Sequence, residues 1–248
     1  MKENKAIEEM LRYYRLTADA YDVMHLRSDK HVDEHAIALN LISSFINLFG
    51  FKSILDVGCG TGRGLKYLYN NHPDLHIMGV DLSFDLLKKC VEKDIPAGKL
   101  LCGNAYSLPF KDASFDVVIS LALLHHVPDP NRVVEEMLRV SKNVIFISDT
   151  NRYGQGSLLK RFIKLILYKV LKMGKFVDWI RTRGKMYMYS EGDGVFYSYS
   201  VFDSLSVLRK NVKKIIAIPT GRQGGNLSTF AILKSSHFLI CAFKGDDQ

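Results

Sequence analysis

The chain has 248 residues, 34 Lys and Arg against 26 Asp and Glu, and 47% hydrophobic residues. This is the composition of a globular chain long enough to bury a core without disulfide or metal staples, which excludes low-complexity, collagen-like and disulfide-scaffold classes. The formal charge of +8 permits an acidic partner such as nucleic acid, an anionic lipid or a phosphorylated metabolite.

MKENKAIEEM lacks the apolar run of a signal peptide, and no stretch reaches the roughly 20 apolar residues of a bilayer span. Cys59, Cys90, Cys102 and Cys241 show neither paired nor metal-ligand spacing, so reduced thiols, no metal and a cytoplasmic location are expected.

In chain order, residues 5–20 and 33–49 read as helices. In the second, Ile37, Leu41, Ile42, Phe45 and Leu48 recur at helical spacing. Short apolar segments follow at Ile54–Val57, Ile77–Asp81, Leu100–Cys102, Phe115–Leu121 and Val144–Ser148. Helical stretches separate them at Gly64–Asn70, Phe84–Lys93 and Asn131–Val140. Strands alternating with helices predict an α/β fold with a doubly wound, mostly parallel sheet. Ser83 is placed to cap one helix, and Asp129 before Pro130 to cap another. After Asp149 the alternation breaks. Residues 151–200 hold a basic helix and the aromatic run YMYSEGDGVFYSYSVF, and Ile215–Pro219 and His237–Phe243 close the chain. The expected organisation is one domain over 1–248. Helices 1–49 would lie over a cofactor, 50–150 form its core, 151–200 an inserted lid or substrate block, and 201–248 the last strands.

The loop after the first strand reads LDVGCGTGRG, from Leu55 to Gly64. A triphosphate loop needs a Lys followed by Ser or Thr, and neither follows Gly62. A dinucleotide loop needs glycine where Arg63 or Leu65 stands. The alternating glycines instead let backbone pass close to a flat or zwitterionic ligand. Asp56 can hold the loop's amides or face a ligand amine. Asp81, 23 residues past Gly58, ends the next strand where a carboxylate can take ribose hydroxyls.

LDVGCGTG, GVDLS, GNAYSLPFKDASFDVVIS and LALLHHV, in that order and spacing, resemble a class I S-adenosylmethionine-dependent methyltransferase of the broad group acting mostly on small molecules. The resemblance covers roughly residues 50–150. It implies a Rossmann-like, seven-stranded, mostly parallel sheet with helices on both faces and an antiparallel last strand. It implies S-adenosylmethionine as cofactor and S-adenosylhomocysteine as product. Asp56, Gly58, Cys59, Gly60 and Thr61 would wrap the methionine portion, Asp81 the ribose, Leu82 the adenine face, and Asn104 and Ala105 the adenine edge. Leu121 would touch the cofactor after the fourth strand, and Tyr21 would cover its methionine end. Many relatives carry aspartate at position 104, whose role an asparagine oxygen can fill. Arg139–Asn143 also replaces a longer turn common in relatives.

Methyl transfer needs alignment of the nucleophile, and a base only where the acceptor must lose a proton. His125, His126 and Asp149 are the candidates for that role. Between 158 and 185 stand nine Lys or Arg against Asp178 alone. At helical spacing Leu159, Phe162, Ile163, Ile166, Leu167 and Val170 share one face, with Lys160, Arg161, Lys164 and Lys172 opposite. The leading expectation is a lid packed on its own domain by the apolar face, its charges solvated. Peripheral membrane contact through 158–180 and cover for a lipid-like substrate remain open. A small-molecule acceptor, apolar or anionic, is expected; an RNA methyltransferase using the basic block and a catalytically silent binding protein are the alternatives.

Overall fold

The computed structural model describes residues 2–25, 33–221 and 231–245. Three helices come first: α1 (Lys2–Thr17), α2 (Tyr21–His25) and α3 (Glu34–Phe49). Asp33 caps α3 by accepting the His35 and Ala36 N–H groups, and Gly50 ends it in the left-handed region at φ 64°. The buried face of α3 is Ala38, Leu39, Ile42 and Ile46, one position off the expected stripe, and Leu48 is exposed.

The alternating core then runs β1 (Ser53–Val57), α4 (Arg63–Asn71), β2 (His76–Asp81), α5 (Phe84–Glu92), β3 (Leu100–Cys102), β4 (Phe115–Leu121), α6 (Pro130–Val140) and β5 (Ser141–Thr150). Beyond it come α7 (Leu158–Leu165), α8 (Gly174–Arg181), the hairpin β6 (Met188–Ser190) and β7 (Gly194–Phe196), α9 (Leu205–Asn211), β8 (Lys214–Pro219), α10 (Ala231–Lys234) and β9 (His237–Phe243). The seven-stranded sheet has the order β3-β2-β1-β4-β5-β9-β8. β1 to β5 are parallel, and β9 runs antiparallel between β5 and β8. The order reverses between β1 and β4, where open α/β sheets form a ligand crevice at their carboxyl ends.

Successive strand residues point to opposite faces, so each strand feeds two cores. Leu55, Val118 and Ile145 pack with α6 through Val133, Val134 and Met137. Ile54, Val117 and Val144 join the other cluster with Ile42 and Ile46 of α3 and Leu65 and Leu68 of α4. Ser83 caps α5, accepting from the Leu86 N–H. Asp129 makes no side-chain cap, because its backbone turns to φ −127°, ψ 80°; Pro130 alone marks the start of α6. Arg139, at the abbreviated turn, forks onto Glu136, Asp112 and the Leu108 and Phe110 carbonyls, and so fixes the 108–112 loop.

The chain leaves the sheet at Asn151 and returns at Ser200, and these two residues pair as an antiparallel bridge. Asn151 is fully buried. Its amide donates to the Ile232 and Ser235 carbonyls, and its oxygen accepts from the Tyr153 N–H and the Ser200 hydroxyl. Within the enclosed segment the expected helix orientation is reversed. Arg161 reaches the Leu233 carbonyl, Lys164 the Arg152 and Gln155 carbonyls, and Lys169 Asp203. Leu158, Leu159, Phe162 and Val170 face outward, as do Phe176, Trp179 and Ile180 on α8. The buried carbonyls exposed by the irregular backbone around 152–156 and at Leu233 need donors, and long basic side chains supply them. Leu165 and Tyr168 are the apolar groups that pack inward. Among the described residues, no helix is long and apolar enough to cross a membrane.

Candidate functional site

The loop from Gly58 to Gly62 turns through the left-handed region at Gly58, Gly60 and Gly62, with φ of 77°, 54° and 80°. Four of its five amides are consumed internally. Those of Gly58 and Cys59 donate to the Val80 carbonyl, that of Gly62 to the Cys59 carbonyl, and that of Gly60 to Asp81 Oδ2 at 2.8 Å. A phosphate nest would need these N–H groups free, so the loop is not built to hold one.

Asp81 holds this loop, its other oxygen accepting from the Ser83 N–H at 2.8 Å. Asp56, which sequence allows as the loop's acceptor, makes no such bond. Its carboxyl is buried and Oδ1 has no partner among the described residues. Gly64 leaves it room, since a Cβ there would lie 2.8 Å from Oδ2. Burial, and then the charge of Asp81, push the Asp56 carboxyl up to about 7. A buried carboxyl with an empty lone pair and an upward shift fits a ligand ammonium.

Two adjoining cavities lie at the carboxyl ends of the strands. The first, about 310 Å³, is lined by Tyr21, Asp56, Gly58, Cys59, Gly60, Thr61, Asp81, Leu121, His125 and His126, all singled out from sequence. The second, about 90 Å³, is lined by Asp81, Leu82, Asn104 and Ala105 and covered by Ala6, Met10 and Tyr14 of α1. Individual side chains refine the picture. The Cys59 thiol is buried against Gly79. The Thr61 hydroxyl donates to Asp22 of α2 at 2.6 Å, and Lys93 pairs with the same carboxylate, which pins α2 over the loop. The Asn104 oxygen already accepts from the Tyr106 N–H at 2.9 Å. The ring of Tyr21 packs edge-on against Tyr14, with centroids 5.9 Å apart.

The histidines sit on a single helical turn after β4, and the structure separates their roles. His125 Nδ1 lies 2.8 Å from Asp149 Oδ1. Asp149 is itself buried, accepts from the Leu124 and Thr150 N–H groups and lines neither cavity. Burial disfavours the Asp149 anion, but His125 and the backbone donors outweigh it and hold the carboxyl below its usual range. Burial likewise disfavours the His125 cation, and Asp149 outweighs it, leaving that imidazole raised. His126 donates from Nδ1 to the Val195 carbonyl at 2.7 Å. Burial and then His125 push it down to about 4.

Asp193, in the β6–β7 turn, was not singled out from sequence. Its carboxylate lies 3.8 Å from His125 Nε2 and 3.6 Å from His126 Nε2. The three groups lie within 4.8 Å of one another, a cluster able to hold a cation, where sequence predicts no metal. The only sequence sign was the GDG turn within an aromatic run.

A family model described as a methyltransferase domain matches residues 55–145, the segment that carries the loop, Asp81 and both histidines. The chain is 39% identical over 151 residues to a tRNA (carboxymethyluridine(34)-5-O)-methyltransferase of Saccharomyces cerevisiae, covering 58% of this chain and 50% of that protein. It is 40% identical over 95 residues to a demethylmenaquinone methyltransferase of Listeria monocytogenes, covering 36% of this chain and 40% of that one. The chain thus spans half or less of the length of these curated relatives. The solved magnesium protoporphyrin IX methyltransferase of Synechocystis, with bound S-adenosylmethionine, has the same fold at 14% identity. It aligns with a TM-score of 0.59 over 99% of this chain and 98% of that one. The fold is that of the Rossmann-like methyltransferases. Residues 55–145 match a methyltransferase domain, and the cleft they form holds a buried carboxyl oxygen of Asp56 that has no partner among the described residues.

The raised Asp56 carboxyl has a consequence for stability. The folded chain holds this proton above 3.8, the ordinary value, so without ligand the group costs stability as pH rises from about 4 through about 7. Asp56→Asn removes that cost. In urea unfolding of the ligand-free protein, the variant is expected to gain on wild type between pH 5 and pH 8. A stability difference independent of pH would show that Asp56 is not held protonated.

Proposed function

We propose that the chain transfers the methyl group of S-adenosylmethionine to a small-molecule hydroxyl or amine, with His125 as the proton acceptor. The observation that carries this reading is the Asp149–His125 pair at the wall of the glycine-loop cleft. Asp149 accepts the Nδ1 proton, so Nε2 is left as the basic nitrogen and faces the cavity. The bound cofactor supplies an electrophilic methyl to in-line attack. What the chain supplies is position, charge and proton transfer.

At the cofactor, Asp56 would take the ammonium, and the Gly58–Thr61 backbone, with Cys59 packed beneath, would pass along the methionine portion. Asp81 keeps a lone pair on each oxygen for the ribose. Leu82, Asn104 and Ala105 would frame the adenine, Leu121 would flank the methyl end, and Tyr21 would close over it from α2. His125 would accept the acceptor's proton as the new bond to carbon forms, with Asp149 stabilising the resulting imidazolium. His126, held neutral and bonded to the hairpin, is a positioning residue. Asp193 adds negative charge where the imidazolium develops. Small cavities of this kind support a metabolite rather than a folded RNA as acceptor.

The outward apolar face of 158–180 supports a second element of the reading, contact with an anionic membrane surface. Trp179 and Phe176 stack with centroids 6.3 Å apart, among exposed aliphatic side chains. Lys160, Lys172, Lys175, Arg183 and Lys185 are exposed around them, matching apolar insertion with a cationic rim. Sedimentation with phosphatidylglycerol vesicles is expected to carry the wild type down. It should carry Trp179→Ala/Phe176→Ala less, and neutral vesicles should carry neither. Equal sedimentation of variant and wild type, or retention by tRNA instead of vesicles, would overturn this element.

Transfer of labelled methyl from the cofactor into cell extract, followed by separation of organic, aqueous and RNA fractions, tests the main reading. Label is expected outside RNA. His125→Ala is expected to lower transfer by about 10²–10⁴-fold, with S-adenosylhomocysteine binding retained in a thermal shift. Wild-type activity should rise as pH passes upward through the raised His125 range, because the neutral imidazole is the base. Label confined to RNA would favour the activity named for the yeast relative. Cofactor binding with no transfer at all would favour the silent reading.

A further inference from the structure

A third cavity, also about 310 Å³, opens behind the histidines. It is lined by the cations Arg152, Lys164 and Arg181 and by the aromatic rings of Tyr168, Phe196 and Tyr197. His125, Thr150, Asp193 and His237 line both this cavity and the larger cofactor-side one, so the two meet at His125. We propose that this third cavity is the acceptor site, and that it takes a small anionic molecule. The carboxylate or phosphate group would lie between Lys164 and Arg181, and the nucleophile would reach His125. The assignment deepens the methyl-transfer reading and rests on it.

The charge of the walls carries the inference. Three cations converge here, and their compensation is incomplete. Arg152 pairs with Asp203 and donates to the Ser198 carbonyl, but its buried Nε–H has no acceptor among the described residues. Lys164 donates only to two backbone carbonyls, both at 3.2 Å. No ion pair or hydrogen bond to Arg181 is found among the described residues. The Lys164 ammonium is pushed down by burial and then by Arg181, Arg152, Arg161 and Lys160, a sign that positive potential there is not neutralised. Asp178, the acid nearest in sequence, accepts from the Tyr168 hydroxyl.

The polarity of the cavity also sets an orientation. Its one carboxylate, Asp193, lies 3.8 Å from His125 Nε2, and its lining cations are Arg152, Lys164 and Arg181. An anion is therefore repelled from the reacting end and drawn to Lys164 and Arg181. Tyr168, Tyr197 and Phe196 give the space between them aromatic walls, with the Arg152 guanidinium 4.4 Å over the Tyr168 ring. A phenolic or planar body with an acidic substituent has the matching shape and charge. A neutral ligand would leave the half-buried Lys164 ammonium with no anionic partner.

The test uses the full chain saturated with S-adenosylhomocysteine and titrated calorimetrically with 3,4-dihydroxybenzoate, with catechol as its uncharged analogue, and separately with inorganic phosphate. Dihydroxybenzoate and phosphate are expected to bind, and catechol to bind at least tenfold more weakly than dihydroxybenzoate. Lys164→Gln and Arg181→Gln should each weaken the anions by about tenfold, the loss of one charge-assisted contact, with Arg181→Lys recovering part of it. S-adenosylhomocysteine affinity should be unchanged in all three variants, which also shows that they fold. Anion binding that ignores both substitutions, catechol binding as well as dihydroxybenzoate, or no anion binding by the wild type would each overturn the assignment. Failure of S-adenosylhomocysteine itself to bind would instead sink the methyl-transfer reading. In that case phosphate, titrated without it, still shows whether the cationic pocket takes an anion.

Discussion

The cleft is built around the carboxylate of Asp81. Parallel pairing places Val57 of β1 beside Val80 of β2, so the glycine loop leaves one strand directly beside the end of the other. The Val80 carbonyl and the Asp81 side chain then absorb three loop amides between them. This fixes a backbone that only glycine adopts cheaply, and it spends the donors a phosphate would need. It also brings a negative charge to Asp56, which burial already disfavours as an anion. One interaction thus shapes the loop and sets the electrostatic demand of its ligand. The cleft calls for a cation at Asp56, and a loop of similar glycine content in a nucleotide enzyme calls for an anion.

Much of this was legible in the sequence, because it rests on local pattern. Apolar runs of three to seven residues after turn signals located all seven sheet strands, and the alternation with helices fixed the parallel course of β1 to β5. The loop could be set apart from phosphate-binding loops by what stands at Arg63 and Leu65. Asp81, Leu82, Asn104 and Ala105 fell at strand ends, which a parallel sheet gathers on one edge whatever the sequence separation.

The remainder depends on contacts that local pattern does not encode. Asp193 meets His125 across 68 positions of sequence, and nothing about a GDG turn announces that meeting. The reversed helix at 158–165 failed for a different reason. A hydrophobic stripe reports which side can be buried, but the side that is buried also depends on which backbone groups need donors. Here carbonyls at Arg152, Gln155 and Leu233 claim Lys164 and Arg161, and the apolar stripe is left outside. The same limit explains Asp129. Its residue type suits a cap, yet the chain enters α6 at an angle that carries its side chain away from the helix amides.

The β6–β7 hairpin joins the two halves of the site mechanically. Its Val195 carbonyl accepts from His126, and the Tyr197 N–H donates to the His125 carbonyl, so it is bonded to the turn that carries both histidines. On its other side it packs against α1. Val195 and Tyr187 cluster with Ala6, Met10 and Tyr13, and Gly194 adopts φ 67° with so little space that a Cβ would lie 2.7 Å from the Tyr13 ring. The Tyr187 hydroxyl also donates to Glu9. α1 covers the smaller cavity, while the turn of the same hairpin carries Asp193 into the walls of the other two. A displacement of α1 must therefore pull on the hairpin, and with it on Asp193 and the His126 bond. The smaller cavity and the two histidine-lined cavities are thus coupled through one packed unit.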